Sequence, residues 1–218
     1  MVIFDCNGVL VDGESISNAV AAEEFTRAGF PMSPQVIGRF FTGRRAIDML
    51  ADVEAATRRK LPAGFRDRLA AATLQRIRDE LRPTPHAAHA LTWLRGPKCV
   101  ASSATIERIR LSLETAGLVR FFATNLFSAN DVPRGKPAPD LFLRAAAQMG
   151  IDPRDCIVVE DSAVGVAAAV AAGMTAIGFV GGSHVYPRPP EELTAAGART
   201  VIADMRALKS TVVALRGW

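Results

Sequence analysis

Asp5 follows the apolar run VIF and is trailed by Cys6, Asn7 and Gly8. Ser102 and Ser103 follow CVA, and Glu160 and Asp161 follow CIVV. Asp5, Glu160 and Asp161 would repel one another at close range unless a cation sat among them. All-oxygen ligation suits a hard ion, and Mg²⁺ with retained waters is the usual choice. Lys136, in GKPAPD, lies between Gly135 and Pro137, on a stiff turn rather than inside a helix. Its ammonium is a compact point charge that can offset carboxylates and bind a phosphoryl oxygen. Ser102 and Ser103 can donate from a hydroxyl and from backbone N–H at a helix start. Metal, lysine and backbone donors around one carboxylate make a site for phosphoryl transfer, with Asp5 as a covalent nucleophile.

Such a site needs a scaffold that gathers distant junctions. Residues 2–4, 99–101, 156–159, 175–179 and 200–202 read as five short strands, almost continuously apolar. That pattern fits strands buried on both faces of a parallel sheet. Residues 106–116, 139–149 and 163–172 show apolar spacing of three and four, and Gly117, Gly150 and Gly173 stop them. Strand and helix alternate, so the expected class is α/β, a Rossmann-like parallel-sheet core. Ligands bind beyond the carboxyl ends of such strands, where the polar junctions fall.

One stretch breaks the rhythm. Residues 14–28, 34–41, 43–53 and 65–81 all read as helices, with no strand among them. A single crossover needs far fewer residues. The expectation is an inserted helical cap domain over 14–82, hinged at Gly13 and at residues 82–85, on a core of 1–13 and 83–218. Such an insert can act as a lid that excludes water and contacts substrate. The loop at 181–190 is rich in Gly and Pro and reads as exposed.

The 218 residues are 49% apolar, enough for a substantial core. No apolar run reaches the roughly 18 residues of a membrane span. Met1 leads into Val2, Ile3 and Phe4 with no basic segment, so no secretory signal is expected. The charge of +4 suits an anionic substrate, but Lys and Arg are spread along the chain, which argues against a nucleic-acid partner. Cys6, Cys99 and Cys156 lie far apart with no CxxC pair, and read as buried thiols in a reducing cytoplasm.

FDCNGVLVD, VASSA, RGKPAPD and VVEDSAVGVAAAVAAGM resemble, in order, the four signature motifs of the haloacid dehalogenase-like hydrolase superfamily. The resemblance covers essentially the whole chain. It looks closest to the helical-cap branch that includes β-phosphoglucomutase and many sugar-phosphate phosphatases. It implies that Asp5 forms an aspartyl phosphate and ligates Mg²⁺, that Asn7 gives its backbone carbonyl to the metal, and that Asp161 ligates it. Glu160 is implied to reach the metal directly or through water. Ser102, the amide of Ser103 and Lys136 would bind the phosphoryl group, with Asn7 and Gly8 beside it. The implied partner is a small phosphorylated metabolite, with no nucleic acid and no membrane; oligomeric state is not legible.

The departure is Asn7, where the family's phosphatases and mutases usually carry an acid–base aspartate. A carboxamide does not exchange protons near neutral pH. Losing a general acid–base costs about 10²–10⁴-fold in rate. A phosphatase remains the main expectation, with a β-phosphoglucomutase-type mutase or a phosphate-ligand binding protein of impaired turnover as alternatives. A substrate with a good leaving group, a substitute such as His184, an introduced Asn, or dehalogenation would each also fit Asn7. In the cap, Arg44 and Arg45 are candidates to lie over the phosphate or a second anionic group, and Glu14 to face the site. His86 and His89 read as exposed helix residues, Trp93 as a core anchor and Trp218 as a tail residue.

Overall fold

The computed structural model describes residues 1–183 and 189–216. Six parallel strands form one sheet: β1 Val2–Phe4, β2 Lys98–Ser102, β3 Leu126–Ser128, β4 Ile157–Glu160, β5 Thr175–Phe179 and β6 Thr200–Ile202. Their order is β3-β2-β1-β4-β5-β6. The chain starts at β1, builds outward through β2 and β3, then crosses to β4 on the other side. The order therefore reverses around β1, whose carboxyl end is the switch point where such sheets bind ligands.

β3 is the strand absent from the sequence expectation. It has three residues, LFS, just after the short 3-10 turn Val119–Phe121. An apolar run of that length carries no period to distinguish it from a turn.

Successive strand residues point to opposite faces. Val2 and Phe4 of β1 enter one apolar core, with Val100, Val159 and Phe179. Ile3 enters a second core, with Cys99, Ala101, Val158 and Ala176. The second core is covered by α7 Asp140–Gln148, α8 Ala163–Ala171 and α9 Pro190–Ala195. Ala168, Ala169 and Ala172 let α8 lie close to the sheet. α6 Ile106–Thr115 and α10 Leu208–Arg216 cover the first face.

Five helices follow β1 before β2: α1 Glu14–Arg27, α2 Pro34–Phe41, α3 Ala46–Thr57, α4 Phe65–Glu80 and α5 Ala87–Trp93. The first four form an inserted helical cap, α1 packing on α2 and α4. Ser33 caps α2, its side chain accepting from Val36 N, with Pro34 in the first turn. The two chain passages between core and cap run side by side. Asp12 N donates to Arg82 O at 2.9 Å, and Thr84 N donates to Leu10 O at 3.0 Å.

Two expectations are corrected. The helix expected from residue 43 starts only at Ala46, because Gly43 has φ +78° and Arg45 is extended. Trp93 is no core anchor: it is 54% exposed, at the end of the short α5. His184 and Trp218 lie outside the described residues. His86 and His89 are exposed. The three cysteines are free and buried, and burial pushes the Cys6 and Cys99 thiols up to about 12. Among the described residues no helix is long and apolar enough to cross a membrane.

Candidate active site

Asp5 continues β1 by one residue, donating from its N to Val159 O at 3.0 Å. The ladder fixes its backbone, and its side chain points from the switch point into the sheet's carboxyl edge. Lys136 reaches the same place from the turn before α7. Its Nζ donates to Asp5 Oδ1 at 2.6 Å and also to Glu160 Oε1. Phe142 lies beneath, its ring centroid 5.3 Å from Nζ. Asp5, Lys136, Glu160 and Asp161 are all buried. Burial pushes the Asp5 carboxyl up to about 6, against the pull of Lys136 and with Glu160 adding to the rise. Burial alone would lower the Lys136 pKa, but Asp5 and Glu160 outweigh it and hold the ammonium above its ordinary value.

Glu160 is held by the protein on both of its oxygens. Its Oε1 faces Lys136, and its Oε2 accepts from Ser162 N at 3.2 Å and Ser162 Oγ at 2.8 Å. Ser162 also caps α8, accepting from Gly165 N at 3.1 Å. With both oxygens engaged in the protein, the geometry does not favour direct metal ligation by Glu160. Among the described residues no group of three His, Cys, Asp or Glu side chains is placed to hold a metal. The remaining hard oxygens are Asp5, Asp161 and the carbonyl of Asn7.

Gly165 makes this arrangement possible. A Cβ there would lie 2.0 Å from Glu160 Cδ and 2.2 Å from each carboxylate oxygen. Glu160 is fully buried and held from both sides, so it has nowhere to retreat. Alanine is the better helix former by about 1 kcal/mol, yet overpacking costs about 1–3 kcal/mol. Contacts this close place the overpacking cost at its upper end, about 3 kcal/mol, so Gly165→Ala is expected to lower the urea-unfolding free energy by about 2 kcal/mol net. A neutral or stabilising effect would show that the Glu160 carboxylate is not confined.

Ser102 ends β2, and its hydroxyl accepts from Ala104 N at 3.5 Å. Ser103 Oγ donates to the carbonyl of Gly43 in the cap at 2.7 Å. Gly8 has φ +81° in the turn after Asp5, where its N donates to Val11 O at 2.8 Å. A cavity of about 240 Å³ lies between cap and core above these residues. Asp5, Asn7, Ser102, Ser103 and Asp161 line it from the core, and Glu14, Arg44 and Arg45 line it from the cap. Its volume lies just below the range usual for drug-sized ligands and suits a small metabolite.

The two cap arginines are engaged elsewhere. Arg44 pairs with Asp52. Arg45 makes a fork to Asp48 at 2.7 and 2.8 Å, and its Nη1 donates to the core carbonyls of Ala129 at 3.3 Å and Val132 at 3.2 Å. Arg45 thus straps the cap to the loop after β3. A Cβ on Gly43 would fall 2.5 Å from Ser162 Oγ, so only glycine lets the cap turn approach this closely.

Cavity residues that sequence reasoning passed over include Ser17, Asn18, Arg66, Arg108 and Asn130. A signal existed for Asn18. Glu14, Asn18, Ala21 and Phe25 recur on one face of α1 at helical spacing, which puts two polar groups on the buried stripe. Arg108, in the first turn of α6, carried no comparable signal, because first-turn arginines are common on exposed faces.

Residues 1–173 match the family described as haloacid dehalogenase-like hydrolase. The 6-phosphogluconate phosphatase of Escherichia coli (strain K12) is 29% identical over 187 residues, spanning 85% of each chain. A haloacid dehalogenase-like protein of Agrobacterium tumefaciens superposes with a TM-score of 0.83 at 39% identity, covering 99% of this chain and 98% of the other. A hydrolase of Deinococcus radiodurans R1 with bound phosphate and sodium superposes with a TM-score of 0.75 at 32% identity, covering 98% and 94%. With its six-stranded sheet, helical cap and polar switch point, the chain belongs to the haloacid dehalogenase-like hydrolases.

Proposed function

We propose that the protein is a Mg²⁺-dependent phosphatase that hydrolyses a small phosphomonoester, sugar phosphates being the first class to test, through an aspartyl phosphate on Asp5. The observation that carries this reading is the buried Asp5–Lys136–Glu160 chain of contacts beneath the cavity. The E. coli relative named as a 6-phosphogluconate phosphatase supports the substrate class. Three free, buried cysteines suit a cytoplasmic setting.

The donor set fits the metal. Asp5 and Asp161 offer carboxylate oxygens and Asn7 a carbonyl, all hard, and of the three buried acids Asp5 and Glu160 share the buried Lys136. When bound, Mg²⁺ would neutralise charge on the phosphoryl oxygens. Lys136 holds Asp5 in place and faces a phosphoryl oxygen, and Glu160 with Ser162 fixes the direction of the lysine. Ser102 Oγ and the Ser103 amide donate to the other non-bridging oxygens.

Asp5 attacks phosphorus and the bond to the ester oxygen breaks. The departing alkoxide takes a proton from water, since Asn7 has none to give. Water then attacks the phosphorus of the aspartyl phosphate, releasing phosphate and restoring the Asp5 carboxylate. The cap, residues 14–82, closes over the ester and keeps bulk water from it.

The test is a panel of phosphorylated metabolites with Mg²⁺, read by phosphate release and by migration of phosphate within the substrate. Release above the level of Asp5→Ala supports a phosphatase, and migration supports a mutase. A second reading, a phosphate-ligand binding protein of slow turnover, is favoured by Asn7. Tight binding of panel members without turnover would select it.

A further inference from the structure

The cavity wall also carries polar groups to which the chemistry at Asp5 assigns no part. Glu14, Ser17 and Asn18 face the cavity from α1, and Arg108 faces it from α6. Asn18 is 7% exposed, and its Nδ2 has no hydrogen-bond partner among the described residues. A buried amide left in that state is a standing cost in stability that calls for an explanation.

Arg108 is in a similar condition. Of the other arginines of the cavity wall, Arg44 holds Asp52 and Arg45 holds Asp48. Arg108 instead donates to the neutral hydroxyl of Ser17. A guanidinium has five N–H donors, so this bond leaves most of the fork for something else. Burial holds its pKa below the ordinary value, with Cys6, Glu14 and Asp5 acting against that. A cation sunk in a cavity wall beside a neutral acceptor and an unsatisfied amide is a receptor for an anionic, acceptor-rich group.

We propose that Arg108 and Asn18 form a distal subsite for a carboxylate at the far end of the phosphate ester, which makes the substrate class phosphorylated sugar acids. The assignment rests on the reading of Asp5 as the end that takes the phosphoryl group. The planar fork of Arg108 matches a carboxylate with two parallel hydrogen bonds. Glu14 lines the same cavity, and its charge opposes a doubly charged second phosphate more than a singly charged carboxylate. The small cavity also favours the more compact group.

The test compares 6-phosphogluconate with sorbitol 6-phosphate. The two share a six-carbon hydroxylated chain and a terminal phosphate, and differ in a carboxylate against a hydroxymethyl group. The wild-type protein is expected to favour the acid by about tenfold to hundredfold in kcat/KM, mainly through KM. Arg108→Met is expected to bring the ratio close to unity, and Arg108→Lys to keep part of the preference. If Arg108→Met does not fold, by its thermal transition, Asn18→Leu must narrow the same ratio. Equal use of the two esters by the wild type, or an equal loss on both in the variants, overturns the subsite.

Equilibrium binding of both esters to Asp5→Asn, which needs no turnover, separates this proposal from the phosphatase reading. Acid-selective binding without turnover in the wild type removes the phosphatase reading and keeps the subsite. Turnover without acid selectivity removes the subsite alone. Binding of neither ester removes the subsite.

Discussion

Replacing Lys136 by methionine is expected to lower the free energy of unfolding by about 3–5 kcal/mol and to abolish phosphate release. Methionine has a similar length, so the cost is chiefly electrostatic rather than a cavity. The change leaves Asp5 and Glu160 buried and without their shared counter-charge. Their Coulomb repulsion acts where water cannot screen it, and each must then stay ionised at a cost or take up a proton. Urea unfolding at pH 7 measures the effect.

A double change distinguishes charge from packing. Lys136→Met with Glu160→Gln should recover a large part of the lost stability, because one of the two unpaired charges is gone, but none of the activity. A loss below about 1 kcal/mol in the single variant, of the size typical for an exposed pair, would show that the contact is not the buried centre described here.

Asn7→Asp is expected to raise the steady-state rate by about 10²–10⁴-fold on esters with poor leaving groups. The two side chains have nearly the same volume, so the change fits the space Asn7 already fills. Asn7 lines the cavity, and its Oδ1 lies 2.5 Å from where a Cβ on Gly13 would stand. The new carboxylate could give a proton to the departing alkoxide and take one from the attacking water. The amide can only orient these groups. The gain should be small for acyl phosphates, whose leaving groups need little protonation. An unchanged rate on alkyl phosphates would mean that the natural reaction requires no carboxylate at this position.

The cap turn 43–45 bears on both experiments. Ser103 donates to Gly43 O, Arg45 reaches the carbonyls after β3, and Gly43 lies against Ser162. Ser162 in turn holds Glu160. The closed cap and the orientation of Lys136 therefore share a wall, and a change at Glu160 is felt at the cap as well as at the nucleophile.

Much of this protein could be read without coordinates, for identifiable reasons. Buried parallel strands must be continuously apolar, so β1, β4 and β5 stood out, and the acids behind β1 and β4 marked the sheet's carboxyl edge. Gly117, Gly150 and Gly173 closed their helices with positive φ, a preference written into the residue type. Helical periodicity between β1 and β2 announced the insert. Local rules are enough where one segment's own pattern decides its conformation.

Tertiary structure alone decided the rest. Whether Arg45 meets a ligand or a backbone carbonyl depends on a loop 84 residues away. Glu160 turned to Lys136 and Ser162 because the turn after β4 and the space above Gly165 aim it there. Arg108 and Asn18 became neighbours only because α1 and α6 face the same cavity, and no spacing in the chain encodes that meeting. Asp5 was legible as a nucleophile from its strand junction. Which groups hold it, and which others line its cavity, were set by contacts between segments that the one-dimensional pattern does not relate.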